Sequence, residues 1–369
     1  MDTTLTQKML APFIGQLKRL SVGLGMPFDQ TGLDFSLIRD TPIVQSLSRL
    51  QEIPSEETVA DADFLIDLLI PFYSNPLLPA GYGAIYLPDS FWQQDLGRYL
   101  FKHYLFGLPS LFVVIREAQK RFLAEYKHDL SRPRLNSLVG NRVIPSYLRI
   151  DDLHKSLNNR YVRLDHIGKA EEIPGIDPSH SQVKTAFPPH IDNLFFPWQR
   201  TLFALRNAFG LPGPSDVLDP SCKIVRSLNS VVNAVKVKSK YLREATADAD
   251  YLVDILVTKG VYEIPVSGWG AAYVDLSFWS WEAGETIMEL YKNRFGPDLL
   301  TLTDAVKILR LSNSQRMQIY LHIRNREFPS YPVYSSRNPV QKKIARLFRR
   351  DHAEYWRTRH TKKKMARLK

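Results

Sequence analysis

Ala60-Asp61-Ala62-Asp63-Phe64-Leu65-Ile66-Asp67-Leu68-Leu69-Ile70 returns later in the chain as Ala247-Asp248-Ala249-Asp250-Tyr251-Leu252-Val253-Asp254-Ile255-Leu256-Val257. Seven of these 11 positions are identical, and the other four exchange similar side chains. A second block, Gly81-Tyr82-Gly83-Ala84-Ile85-Tyr86 through Ser90-Phe91-Trp92, returns as Gly268-Trp269-Gly270-Ala271-Ala272-Tyr273 through Ser277-Phe278-Trp279. Both blocks share an offset of 187 residues. Farther on, Asn141-Arg142-Val143-Ile144-Pro145-Ser146-Tyr147 answers Asn325-Arg326-Glu327-Phe328-Pro329-Ser330-Tyr331 at offset 184. Arg163-Leu164-Asp165-His166 answers Arg349-Arg350-Asp351-His352 at offset 186. A repeat that keeps its order while its offset barely drifts is the mark of an internal duplication. The expected copies run over 11–170 and 196–359. A linker rich in Pro, Ser, His and Asp joins them over 171–195, and a basic tail occupies 360–369.

Each copy reads as mainly α, with β structure confined to short hairpins after Pro145 and Pro329. Thr58 is placed to cap a helix, with Asp61 three residues on as its reciprocal partner. Phe64, Leu65, Leu68 and Leu69 then share one face at helical spacing. The repeated Asp61, Asp63 and Asp67, with Asp248, Asp250 and Asp254, raise the question of a metal site. Acids in the first turn of a helix are favoured by its dipole without any metal, so a structural role is expected. The Gly81-Tyr82-Gly83 turn lacks the third glycine of a phosphate-binding loop, and its aromatics read as core.

Cys222 is the one cysteine, which excludes intramolecular disulfides and thiolate zinc clusters. His180, His190 and Asp192 sit in the linker without metal-ligand company. Walker, nucleophile-elbow and His-Glu-x-x-His motifs are absent from the sequence. The expectation is a protein that is not an enzyme and carries neither cofactor nor metal. The N-terminal residues lack the pattern of a signal peptide, and a cytoplasmic, nucleoid-associated location is expected.

The net charge is +11, and its position carries the information. From Arg337 to Lys369 there are 13 Lys and Arg against Asp351 and Glu354, a net of +11, while the rest of the chain balances at 36 of each sign. Such a concentration attracts polyanions by counterion release and steering.

Near the end of each copy stands a helix–turn–helix pattern. In the first, Val114 to Leu123 reads as a helix, Ser131 caps a second, and Pro133 falls in its first turn. Leu135, Leu138 and Val139 form that second helix's inward face. In the second copy, Ser312 or Ser314 caps the corresponding helix, with Met317, Tyr320 and Leu321 placed inward. These segments resemble the AlpA and excisionase class of small winged-helix DNA binders, related to the MerR fold. Leu299 to Leu309 is similar to that family's opening strand and first helix, Arg326-Glu327-Phe328-Pro329 to its turn before the wing, and Arg350-Asp351 with Trp356 and Arg359 to its closing helix. The sequence departs from the family in about three extra residues between Ser312 and Phe328, and in Asn325 where a glycine is expected.

The resemblance implies double-stranded DNA as partner. Arg132, Arg134 and Asn136 would read bases in the first copy, and Gln315, Arg316, Gln318 and His322 in the second. Arg142, Arg326, Arg337, Lys342, Lys343, Arg346 and Arg349 would contact phosphates. A fainter likeness, through Gly83-Ala84-Ile85-Tyr86-Leu87-Pro88 and the helices that follow, points to the C-terminal part of TniQ/TnsD-type transposition target selectors. It implies an accessory or targeting factor of a mobile element, acting with a transposase or recombinase. A plasmid replication initiator, a transcriptional repressor and a protein adaptor for a recombinase are the alternatives.

Overall fold

The computed structural model describes residues 3–26, 28, 38–70, 79–126, 131–140, 143–148, 160–172, 194–211, 219–237, 242–333 and 345–367. Within them the chain is mainly helical, with two small antiparallel sheets. No helix among these residues is long and apolar enough to cross a membrane.

The chain divides into two compact units. The first holds α1 (Thr3–Gly23), α2 (Pro42–Arg49), α3 (Glu56–Leu69), α4 (Asp95–Gly107), β1 (Phe112–Val114), α5 (Ile115–Tyr126), α6 (Arg132–Gly140), β2 (Tyr161–Arg163) and α7 (Leu164–Glu172). Most of α8 (Phe196–Ala208) and residues 257–263 also belong to it. The second holds α9 (Lys223–Val237), α10 (Leu242–Ile255), α11 (Glu282–Phe295), β3 (Leu299–Thr301), α12 (Leu302–Ile308), α13 (Asn313–Arg324), β4 (Tyr331–Val333), β5 (Ala345–Arg349) and α14 (Arg350–Arg367). The boundary therefore differs from the repeat boundary at 196: residues 197–211 group with the first unit, where an Arg206 guanidinium N–H meets Met26 Sδ at 3.6 Å.

Helix α3 starts one turn earlier than the sequence reading placed it. Ser55 is the cap, and it forms a capping box with Thr58: each backbone N–H donates to the other's hydroxyl, at 3.3 and 2.9 Å. Glu56 and Glu57 fill the first turn, where the dipole favours them. The buried stripe is Ala62, Leu65, Ile66 and Leu69, while Phe64 lies at its edge, 36% exposed.

The three carboxylates of α3 each have a separate protein partner. Asp61 accepts from Ser46 Oγ at 2.7 Å and pairs with Arg49. Asp63 accepts from Tyr104 Oη at 2.6 Å. Asp67 accepts the backbone N–H groups of Gly81 and Gly83 at 2.9 and 3.3 Å. On α10, Asp248 accepts from Ser227 at 2.8 Å, Asp250 from Tyr291 at 2.7 Å, and Asp254 from Gly268 and Gly270, both at 2.8 Å. Gly81 and Gly268 have φ of +75° and +78°, and a Cβ on either would stand within 2.5 Å of the Asp63 or Asp250 carboxylate. Glycine is thus required there twice over, by backbone and by space. Among the described residues no group of three or more His, Cys, Asp or Glu could hold a metal.

In the first unit β1 pairs antiparallel with β2, Phe112 opposite Arg163. In the second unit the strand order is β3-β5-β4, with Leu299 opposite Arg349 and Tyr331 opposite Leu347. Two of these strands, β1 and β3, precede the helix pairs, and after Pro145 the described residues form only an isolated bridge, Tyr147 with Tyr161, in place of the expected hairpin.

Candidate nucleic-acid interface

The second unit ends in a strand, two helices, a pair of strands and a final helix. Leu300 of β3 is buried, and Thr301 caps α12 by accepting the Asp304 N–H at 3.2 Å. The chain then turns through Arg310, whose φ of +49° is unusual for a residue with a side chain. Ser312 caps α13 in a capping box with Gln315. Ile319 and Ile323 are the inward residues of α13, in a core that includes Phe328, Phe348 and Trp356. Met317, Tyr320 and Leu321 are 57%, 46% and 41% exposed, which reverses the inward face expected from the sequence. Both triplets fit helical spacing, and the branched Ile pair fills the core instead.

That rotation changes which predicted base readers face outward. Arg316 and Gln318 are exposed. Gln315 is held in the cap, its Oε1 accepting the Ser312 N–H at 2.9 Å, and does not project freely. His322 is half-buried, with Nδ1 2.7 Å from Glu327 and its ring edge-on to Trp356, so it closes the core rather than reading bases. The conformation expected of a glycine falls one residue beyond Asn325, at Arg326, with φ +56°.

Of the predicted phosphate contacts, Arg346 is half-buried and donates to Ser330 Oγ at 2.9 Å. Arg349 is 4% exposed and cannot meet a phosphate: it donates to Asp250 and Asp351, each at 2.6 Å. Arg337, Lys342 and Lys343 lie outside the described residues. The 360–369 segment, read as a tail, continues α14 as helix through Arg367. Lys307 and Arg310, exposed beside the turn before α13, were not singled out in the sequence. Their position beside a cap was the available signal.

In the first unit α5 and α6 occupy the expected places. Ser131 accepts the Arg134 N–H at 3.3 Å, and Leu135, Leu138 and Val139 are buried. Arg134 and Ser137 are exposed. Asn136 is half-buried, and its Oδ1 is enclosed without a donor, so it does not belong to the reading face. The side chain of Arg132, and Arg142 altogether, lie outside the described residues.

A buried ion pair ties each helix pair's sheet to the preceding helices. Arg163 on β2 donates to Asp63 at 2.7 Å and to Asp165 at 2.6 Å. Arg349 on β5 makes the same pair of contacts with Asp250 and Asp351. Arg160 donates to Ser146 as Arg346 does to Ser330. Comparison with known protein families, with curated proteins and with solved structures gives no significant match.

His166 and His352 begin the helices that follow. Each sets Nε2 against a backbone carbonyl, of Ala80 at 3.2 Å and Ser267 at 3.0 Å. A carbonyl only accepts, so Nε2 carries the proton, and the enclosed Nδ1 has no donor. Burial first, and then the neighbouring Arg163 or Arg349, push these histidines down to about 3 and about 4. The folded state therefore refuses a proton that the unfolded chain takes near pH 6.5, and stability is lost as pH falls from there toward 4. Asp67, which burial raises to about 7, acts in the opposite sense by favouring protonation in the fold. We predict that the denaturation midpoint drops on acidification from pH 6.5 to 4, each histidine contributing on the order of 3 kcal/mol. His166→Phe and His352→Phe should flatten that slope. An unchanged slope would show that the rings are solvated in the folded state.

Proposed function

We propose that the chain binds double-stranded DNA sequence-specifically, through two tandem copies of one module, each ending in a winged helix-turn-helix. The observation that carries the reading is the terminal arrangement of the second unit. A strand leads into two helices joined by a tight turn, and a second strand pair is closed by a final helix, with β5 between β3 and β4. On this reading α13 is the recognition helix, β4 and β5 flank the wing, and α14 is a basic closing helix. The duplication is supported by paired contacts: Asp63–Arg163 with Asp250–Arg349, Asp67–Gly81 with Asp254–Gly268, and His166–Ala80 with His352–Ser267. The role we propose is that of an accessory, targeting or regulatory factor of a mobile element. It rests on the likeness to excisionase-type and TniQ/TnsD-type proteins.

Binding to a duplex pool, measured against salt, tests the reading. Deleting Thr361 to Lys369 removes five Lys and Arg. Log affinity plotted against log salt should then flatten by about 0.9 per lost phosphate contact, equally for all sequences. An unchanged affinity at low salt would mean that the end of α14 makes no contact with DNA.

A further inference from the structure

We infer that the second unit reads thymine methyl groups, so that its part of the DNA site is recognised through apolar contact as well as through Arg316. This rests on the reading of α13 as a recognition helix.

At 3.6 residues per turn, Met317 and Leu321 lie on the side of α13 facing away from Ile319 and Ile323, with Tyr320 beside them. The middle of the outward ridge is therefore apolar, with Ser314 continuing it toward the N-terminus. Its borders are polar: Asn313, Arg316 and Gln318 are exposed around it. The helix contains no Asp or Glu, and Lys307 and Arg310 stand exposed at its entry. A surface without carboxylates, apolar along its crest and edged by amides and cations, matches the floor and walls of a major groove. There the thymine 5-methyl is the apolar feature, base edges satisfy amides, and phosphates flank both sides. A helix about 10–12 Å across fits a groove about 12 Å wide. A docked protein helix would leave Gln318 and Asn313 to be buried without assured partners.

The first unit differs. On α6 the apolar Leu135, Leu138 and Val139 are all buried, and Arg134 and Ser137 are exposed. Methyl reading is thus assigned to the second unit alone.

The test uses the full chain and duplexes enriched from a randomised pool. Each enriched duplex is made with thymidine, with deoxyuridine throughout, or with deoxyuridine in one half of the footprint. Loss of each contacted methyl should weaken binding about fourfold, and two should weaken it roughly tenfold or more. The loss should map to the half of the footprint that is insensitive to Arg134→Ala. The Met317→Ser/Leu321→Ser variant, its fold checked by thermal unfolding, should bind thymidine and deoxyuridine duplexes alike. Equal binding of both duplexes by the wild type would overturn the inference and leave DNA binding intact. A double variant that keeps the full preference for thymidine would also overturn it. Failure to enrich or retain any duplex would refute DNA binding itself, a separate result.

Discussion

Asp250→Ala should destabilise the second unit by roughly 3–5 kcal/mol, among the largest losses expected of any single exchange in the chain. Asp250 and Arg349 have side chains only 5% exposed, and the guanidinium lies over the rings of Tyr291 and Phe295. Removing the carboxylate leaves a buried cation that must rely on Asp351, itself 53% exposed. Tyr291 Oη also loses its acceptor, and an unsatisfied buried hydroxyl adds its own cost. The double variant Asp250→Leu/Arg349→Met should recover much of the loss, because removing both charges removes the desolvation penalty as well. Urea unfolding of both variants decides this. A loss below about 1 kcal/mol for Asp250→Ala would mean that water reaches Arg349. Asp63→Ala should behave in the same way through Arg163.

The second large effect is expected in recognition. If the two units are the DNA readers proposed above, they should cover two neighbouring stretches of a single site, about one helical turn or 10 bp apart where both enter one face. The exposed residues of α6 and α13 differ, so the site should be asymmetric. Arg134→Ala and Arg316→Ala should each cost roughly 1–3 kcal/mol and relax specificity in one part of the site only. Footprints of wild type and both variants are the measurement. One short protected patch, indifferent to Arg134→Ala, would show that the first unit does not touch DNA.

The helical class and the small sheets were legible in the sequence because amphipathic spacing and caps are local properties. Ser131, Leu135, Leu138 and Val139 stand where their spacing placed them. What failed was whatever distant partners decide, or local pattern leaves open. Arg349 looked like one more cation in a basic segment, since its carboxylate lies 99 residues upstream. Ser55 and Thr58 both suit a cap, and only the extra turn through Glu56 and Glu57 separates them. On α13, the Ile319–Ile323 and Met317–Tyr320–Leu321 patterns obey the same period, so local pattern could not say which faced the core. The structural role of the Asp repeats was legible, but their individual partners were not. Each partner belongs to another turn or helix of the unit.

The span of the two buried ion pairs bears on how such a protein can be dissected or recombined. A piece beginning at 264 or 298 would carry Arg349 without Asp250, and one ending before Tyr161 would carry Asp63 without Arg163. In either piece a charge meant for burial loses its buried partner, Arg349 keeping only the half-exposed Asp351, so the terminal strand–helix end should not stand alone as a free-standing head. Transplanting it onto another scaffold would require the aspartate helix to travel with it. Gain or loss of such ends over evolutionary time should therefore proceed by whole modules, and the 187-residue stride of the repeat has the length of such a module.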